Sequence, residues 1–459
     1  MKKSIKEILS INKETQVEAT GWVKTKRDSK NVVFINLNDG TVCKGLQVVI
    51  DKETFKDLKT IDKLSTGSSV LFSGKLVKSQ GANQSFELLA SSCVLFGEAD
   101  ETFPMQKKRQ TLEYLRDIPH LRGRTNTMSA VMRVRSLASF AVHKFFQEVM
   151  GFYYLHTPLI TTSDCEGAGE MFQVTTLDLA SVAKDKNGNV DYSRDFFTRP
   201  AYLTVSGQLE GESYATAIRN IYTFGPTFRA EKSSTTRHLA EFWMIEPEMA
   251  FYDLNDNAEL AEKFLKYVLN YVLENNEEDI DFFDKFISEG LKSMLVDVIN
   301  KPFARITYTD AIKELEKNNK KFEYPVKWGS DIQTEHERYI TETICSAPSI
   351  VTDYPKEIKS FYMKENPDGK TVRAMDVLVP RLGEIIGGSQ REEDYNKLLR
   401  RMRELNLDEN SYKWYLDLRK YGTVPHSGFG LGFERLVLYV TGMQNIRDVI
   451  AYPRYYHHS

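Results

Sequence analysis

Residues 427–442 read SGFGLGFERLVLYVTG, so Gly428, Gly430 and Gly432 alternate with larger residues before Glu434 and Arg435 open an apolar stretch. Side chains on a strand point alternately to its two faces, and a strand with glycine at every second place has one face without side chains. A flat ligand can approach the backbone there. The apolar spacing that follows predicts a helix over 434–441. A bare glycine repeat also arises from tight strand packing. Its run into a Glu-Arg pair at a strand-to-helix junction is the more specific signal. The chain has no GxxxxGK[ST] phosphate loop and no GxGxxG opening a βαβ unit, so a nucleotide would have to be held in some other way.

A second segment, FRAEKSSTTRHLAEFWMIEPEMAF at 228–251, is dense in functional groups. It reads as a strand, a polar basic loop and a returning strand. Strand alternation places Arg229 and Glu231 on one face of the first strand, and Glu246 and Glu248 on one face of the second. Arg237 and His238 leave the loop. An arginine can meet phosphate oxygens bidentately, and a carboxylate can accept from an amine. For any one of these residues a surface salt bridge is an adequate explanation. For the whole set beside the aromatic Phe242, a site is the stronger reading.

With 459 residues the chain exceeds one ordinary core, and at least two domains are expected. Segments 15–24, 32–37, 45–50, 69–78 and 85–96 are strand-like, with a short helical stretch at 52–59. Three strands, a helix and two strands follow the order of a five-stranded OB-fold barrel, assigned to residues 1–100. Residues 101–128 read as a hinge whose Lys107, Lys108, Arg109, Arg122 and Arg124 could meet a phosphate backbone. Residues 129–459 give an α+β order with a mainly antiparallel sheet flanked by helices, including a mostly helical, acidic and Lys-rich stretch at 252–330. Strands are expected at 201–206, 220–224, 241–251, 373–379 and 428–433, and helices at 129–150, 256–275, 277–299, 331–346, 391–406 and 434–441. Lys and Arg number 61 against 64 Asp and Glu, so any RNA-binding charge must be gathered locally. The four cysteines form no CxxC pair, so neither a zinc site nor a disulfide framework is expected, and a reducing compartment fits. No apolar run approaches a membrane span, the N-terminus lacks the apolar stretch of a signal peptide, and His457-His458 read as tail residues.

Segments 228–251 and 427–442 resemble motifs 2 and 3 of the class II aminoacyl-tRNA synthetases, and residues 129–160, ending in Thr157-Pro158-Leu159, resemble motif 1. With the N-terminal barrel, the chain resembles the aspartyl/asparaginyl/lysyl subgroup over nearly its full length. The resemblance implies a cytoplasmic ligase that uses ATP and Mg²⁺, dimerises through motif 1 and loads an amino acid on tRNA. It implies that Arg229 binds the ATP α-phosphate, Glu231 reads the adenine amino group, Phe242 stacks on adenine and Arg435 holds the γ-phosphate, with Arg237, His238 and Gly432 completing the ATP site. Asp376 and Glu384, beside a Gly387-Gly388 turn in AMDVLVPRLGEIIGG, resemble the acids that hold Mg²⁺. The substrate carboxylate is already ionised, so no general base is needed, and catalysis reduces to positioning and charge neutralisation.

Within the subgroup, LTVSGQLEGESYA at 203–215 resembles the asparaginyl members. Aspartyl enzymes carry a lysine where this chain has Gly211, followed by Glu212. Losing a cation and adding an anion favours a neutral amide over a carboxylate. Arg391 is expected to donate to the amide oxygen and Glu212 to accept from its nitrogen, while Gln208, Glu246 and the mobile-loop Glu166 hold the α-amino group. The asparaginyl resemblance implies tRNA(Asn) as partner; on the barrel, Phe34 and Gln47, with Arg27 nearby, resemble the residues that stack on and bond the middle anticodon base, a uracil that asparagine and aspartate tRNAs share, and alternation in VVFINL does not separate that role from a core place for Phe34.

Three other readings fit part of the sequence. An aspartyl enzyme, or one charging both tRNAs, fits the motifs but not Gly211-Glu212. A non-catalytic RNA-binding paralogue is disfavoured by the presence of Arg229, Glu231 and Arg435, and a paralogue that makes asparagine by the intact N-terminal region.

Overall fold

The computed structural model describes residues 2–458 other than 80, 82, 83, 106–109, 166–169 and 234. Lys107, Lys108, Arg109 and Glu166 therefore lie outside the described residues. The chain divides into two compact units, residues 1–133 and 134–459.

The first unit holds a closed barrel of β1 (Thr15–Asp28), β2 (Val32–Asn38), β3 (Leu46–Asp51), β4 (Ser69–Lys78) and β5 (Phe86–Gly97), ordered β1-β2-β3-β5-β4. Alternation builds its core: Val33, Ile35 and Leu37 of β2 meet Leu46, Val48 and Ile50 of β3 inside, with Val70, Phe72 and Leu76 of β4. The short helix is Leu58–Asp62, later than the expected 52–59, because the Asp57 side chain caps it by accepting from the Thr60 amide. Arg122 is 1% exposed, so it is no surface cation for a phosphate backbone, contrary to expectation. Arg124 lies over the rings of Trp22 and Phe103.

The second unit carries β6 (Tyr153–Tyr154), β7 (Ile160–Thr161), β8 (Gln173–Val174), β9 (Ala201–Leu203), β10 (Asn220–Phe228), β11 (Glu241–Ala250), β12 (Ala304–Thr307), β13 (Ser349–Pro355), β14 (Thr371–Val379), β15 (Gly383–Gln390) and β16 (His426–Gly432). Eight of these make one sheet, ordered β12-β13-β14-β15-β16-β11-β10-β6, parallel only at its two edge pairs, β12–β13 and β10–β6. β7, β9 and β8 form a small second sheet. Helices Leu254–Asn275 and Phe433–Thr441 pack on the large sheet through apolar stripes.

Three expectations change here. The stretch 277–299 is two helices, Glu277–Phe286 and Leu291–Asn300, broken where Gly290 takes a left-handed φ of 74°. Gly387 and Gly388 are not a turn but the middle of β15, paired with Asp376 and Met375 on one side and Gly430 and Phe429 on the other. A Cβ on Gly388 would sit 2.7 Å from the Gly428 carbonyl oxygen, so this glycine serves close strand approach. Arg229 and Glu231 are not on a strand either: β10 ends at Phe228, and the Ala230 amide turns away to the Glu170 carbonyl.

Candidate active site

Two cavities open on one face of the large sheet and share Arg229, Met244, Glu384 and Gly430 in their walls. The first, about 350 Å³, is lined by Ser206, Gln208, Glu246, Glu248, Lys359, Asp376 and Arg391 among others. The second, about 380 Å³, takes in Glu231, Arg237, His238, Phe242, Glu337, Gly432 and Arg435. The hairpin β10–β11, antiparallel to β16, brings the two motif segments together.

In the second cavity the Arg229 guanidinium lies 5.4 Å from the centre of the Phe242 ring. Arg435 opens the helix after β16 and sits 3.3 Å from the Glu384 carboxylate. Arg237 is held by the Thr334 hydroxyl at 2.9 Å and the Leu382 carbonyl at 3.1 Å, and burial, with Arg435 nearby, lowers its pKa. Glu231 and His238, both exposed, approach to 3.4 Å. Three cations and an aromatic face thus line one cavity, the furniture for a polyphosphate joined to a flat base. The glycine face of β16 is only partly open: a Cβ on Gly428 would collide with the Glu248 carboxylate and one on Gly430 with the Met244 methyl, while Gly432 has its nearest neighbours at 3.8 Å.

Asp376 and Glu384 face each other across Gly387, where an added Cβ would lie 3.2 Å from Glu384 Oε1 and 3.5 Å from Asp376 Oδ1. The Lys359 ammonium pairs with Asp376 at 2.8 Å. Burial pushes the Asp376 carboxyl up, with Lys359 opposing and Glu384 adding. Among the described residues no three His, Cys, Asp or Glu side chains form a group fit to hold a metal alone. Two carboxylates fit a hard cation that takes its remaining ligands from phosphate and water, as Mg²⁺ does.

The first cavity is framed by buried charge. Glu246 accepts from Ser206 Oγ, the Gly207 amide at 2.9 Å and Thr223 Oγ1 at 3.2 Å, and still lines the cavity. Gln208 and Glu212 share a helix face one turn apart, and the Gln208 amide donates to Glu212 at 3.1 Å. Arg391 grips Glu248 through Nε and Nη2, with Nη1 on Ser389 Oγ at 2.8 Å. Glu212 is wholly buried behind Arg391, 3.9 Å from its Nε, and does not reach the cavity wall. Its oxygens already take Tyr415 OH at 2.7 and 2.8 Å, Arg419 Nη2 at 2.9 Å and His426 Nε2 at 2.9 Å. Direct acceptance from a ligand amide would require one of these donors to withdraw. Burial raises both glutamates. For Glu212 the charges of Arg419, His426 and Arg391 more than offset it, and its pKa is lowered. For Glu248, burial and the charge of Glu212 push the carboxyl up against the opposing pull of Arg391. A Cβ at Gly211 would meet Ile221 Cδ1 at 3.3 Å and Glu248 Cγ at 3.7 Å, so this helix packs tightly on β10 where a longer residue would intrude.

Sequence reasoning missed Tyr415, Arg419, His426, Lys359 and Glu248's partnership. His426 alone had a signal, since it lies on the same strand face as Gly428 and Gly430. On the barrel, Phe34 faces away from the core with Arg27 over its ring at 4.7 Å, and Gln47 donates to Glu87 at 3.1 Å.

Residues 111–456 match the family model for tRNA synthetases class II (D, K and N), and residues 17–96 match that for the OB-fold nucleic acid binding domain. The chain belongs to the class II tRNA synthetases of the D, K and N group. Among its relatives is the asparagine–tRNA ligase of Treponema denticola, 58% identical with 98% of each chain covered. That of Acetivibrio thermocellus is also 58% identical, over 96% of this chain and 95% of the relative. The crystal structure of asparaginyl-tRNA synthetase from Pyrococcus horikoshii complexed with asparaginyl-adenylate superposes with a TM-score of 0.87 at 34% identity, covering 100% of this chain and 99% of that one.

Proposed function

We propose that the chain is an asparagine–tRNA ligase, which activates asparagine with ATP to asparaginyl-adenylate and pyrophosphate and passes the asparaginyl group to the 3′ end of tRNA(Asn). The observation that carries the mechanism is the pair of cavities meeting at Arg229. An amino acid in the first presents its carboxylate to a nucleotide in the second, and the junction is where the two must react. The ionised carboxylate attacks the α-phosphorus and pyrophosphate leaves. Arg229 faces the α-phosphate and neutralises charge that grows in the transition state, and Arg435 holds the far end of the triphosphate. Phe242 stacks on adenine and Glu231 accepts from its amino group. Asp376 and Glu384 would hold Mg²⁺, which when bound neutralises phosphate charge.

Gln208 and Glu246 border the α-amino group. Arg391 donates to the side-chain oxygen. Glu212, ionised behind Arg391, offsets part of the charge of Arg391 and Arg419, which leaves less positive charge for a second carboxylate and suits a neutral amide. Phe34, Arg27 and Gln47 form the stacking and bonding face for the anticodon. Exposed apolar residues around motif 1 (Phe140, Val149, Tyr153, Leu159 and Ile160) support a homodimer through that segment. The reading places the enzyme in the cytoplasm; no helix among the described residues is long and apolar enough to cross a membrane. ATP–pyrophosphate exchange tests it. Exchange with asparagine and not aspartate is expected, and exchange with aspartate alone would overturn the assignment.

A further inference from the structure

Residues 175–199 form a long excursion from the small sheet, rooted where Val174 of β8 pairs with Ala201 of β9. A few residues beyond β9 the same chain supplies Val205, Ser206 and Gln208 to the first cavity, and Cys165 lines that cavity shortly before β8. The excursion is therefore joined at both ends, within about ten residues, to segments that line the site. Its charges are unevenly spent. All four acids are turned inward: Asp178 onto the Ala180 amide, Asp185 onto those of Asn187 and Asn189, and Asp191 onto Ser193. Asp195, 6% exposed, accepts from Thr175 Oγ1 at 2.7 Å, the Thr176 amide at 2.8 Å, its hydroxyl at 2.9 Å and the Phe196 amide at 2.8 Å.

The four cations Lys184, Lys186, Arg194 and Arg199 are exposed, and among the described residues none makes a hydrogen bond or ion pair through its side chain. The Ser193 hydroxyl holds the Asp191 carboxyl below its ordinary range, and Arg194 adds to this from nearby without bonding it. Beside them Phe196 is 74% exposed and Leu179 78%, and Phe197 packs edge-on against Phe196 at 4.8 Å. The bond from its own amide to the buried Asp195 anchors the backbone at Phe196. Uncommitted cations around an exposed aromatic suit single-stranded nucleic acid: phosphates meet the cations and a base stacks on the ring.

We propose that this loop docks the unpaired 3′ end of the tRNA, with Phe196 as the stacking platform for one of its bases. The inference rests on the reading of the chain as a tRNA ligase, whose acceptor must reach the site to be charged.

The test uses the full-length enzyme, Phe196→Ala, Phe196→Trp, and tRNA(Asn) either intact or trimmed of its unpaired 3′ nucleotides. In Phe196→Ala, ATP–pyrophosphate exchange with asparagine stays within about twofold, while transfer from preformed adenylate to intact tRNA and affinity for it fall about tenfold, the scale of one lost base stack. Phe196→Trp restores both. Trimmed tRNA binds wild type and Phe196→Ala equally. The proposal is overturned if transfer is unchanged, if exchange falls in parallel, if trimmed tRNA shows the same loss, or if the variant changes the oligomeric state, which would make the loop a contact for a second copy. Failure of wild type to exchange with asparagine would instead remove the underlying reading.

Discussion

Arg419 and Glu212 face each other at 2.9 Å, with neither side chain exposed to solvent. They come from helices 207 residues apart in sequence, yet their ion pair lies directly behind Arg391 in the wall of the first cavity. Removing one partner of a buried pair leaves the other uncompensated and costs about 3–5 kcal/mol. Arg419→Met should destabilise the protein by that amount in urea unfolding and raise the asparagine KM, with Arg419→Lys recovering part of both. Unchanged unfolding midpoints would show that the remaining donors suffice.

Glu212→Gln keeps the shape and removes the charge. It should raise the asparagine KM at least about tenfold, the loss of roughly 1.4 kcal/mol of selective binding, while the ATP KM moves by less than about twofold. Steady-state exchange at varied asparagine and ATP measures both, and an unaltered asparagine KM would remove Glu212 from selection.

Arg435→Ala should lower adenylate formation by at least about a hundredfold, as loss of a cation that acts on transition-state charge implies. Its side chain is one-third exposed at the cavity and, among the described residues, its polar bonds go to Glu384, so the fold should persist. Circular dichroism and exchange on one sample check the two halves; near-normal exchange would refute the role.

Phe34→Ala should weaken tRNA binding about tenfold, one base stack, and leave exchange without tRNA intact. Phe34 lies outside the barrel core, so stability should change little, and a large drop in Tm would instead assign it a packing role.

Burial, with Arg124 and Arg133 nearby, lowers the Lys24 pKa to about 8. An unfolded lysine titrates near 10.4, so between these values the unfolded state binds more protons and stability rises with pH. Below about 8 the folded state carries the full cost of a buried ammonium. Lys24→Met should therefore be more stable than wild type at pH 7 by about 1–2 kcal/mol, after loss of the bond to the Arg124 carbonyl, and the advantage should shrink from pH 8 to 10. Denaturant midpoints across that range give the test; a constant difference would argue against a titrating lysine.

Much of this protein is written locally. The alternation in β2 places Val33, Ile35 and Leu37 inside the barrel, and the spacing of 434–441 makes the helix that carries Arg435, because period and polarity act between near neighbours. The two dense segments at 228–251 and 427–442 marked the cavities in the same way. Tertiary structure decided what those segments touch. Gly387 and Gly388 looked like a turn, and only their neighbours on both sides made them the centre of a sheet. Glu212 looked like a ligand-reading acid, and only the arrival of Tyr415, Arg419 and His426 from about 200 residues away buried and saturated it. Pairing between remote charges leaves no periodicity in a sequence. It depends on which elements the fold lays side by side, and the low dielectric between them then sets what an unpaired charge there would cost.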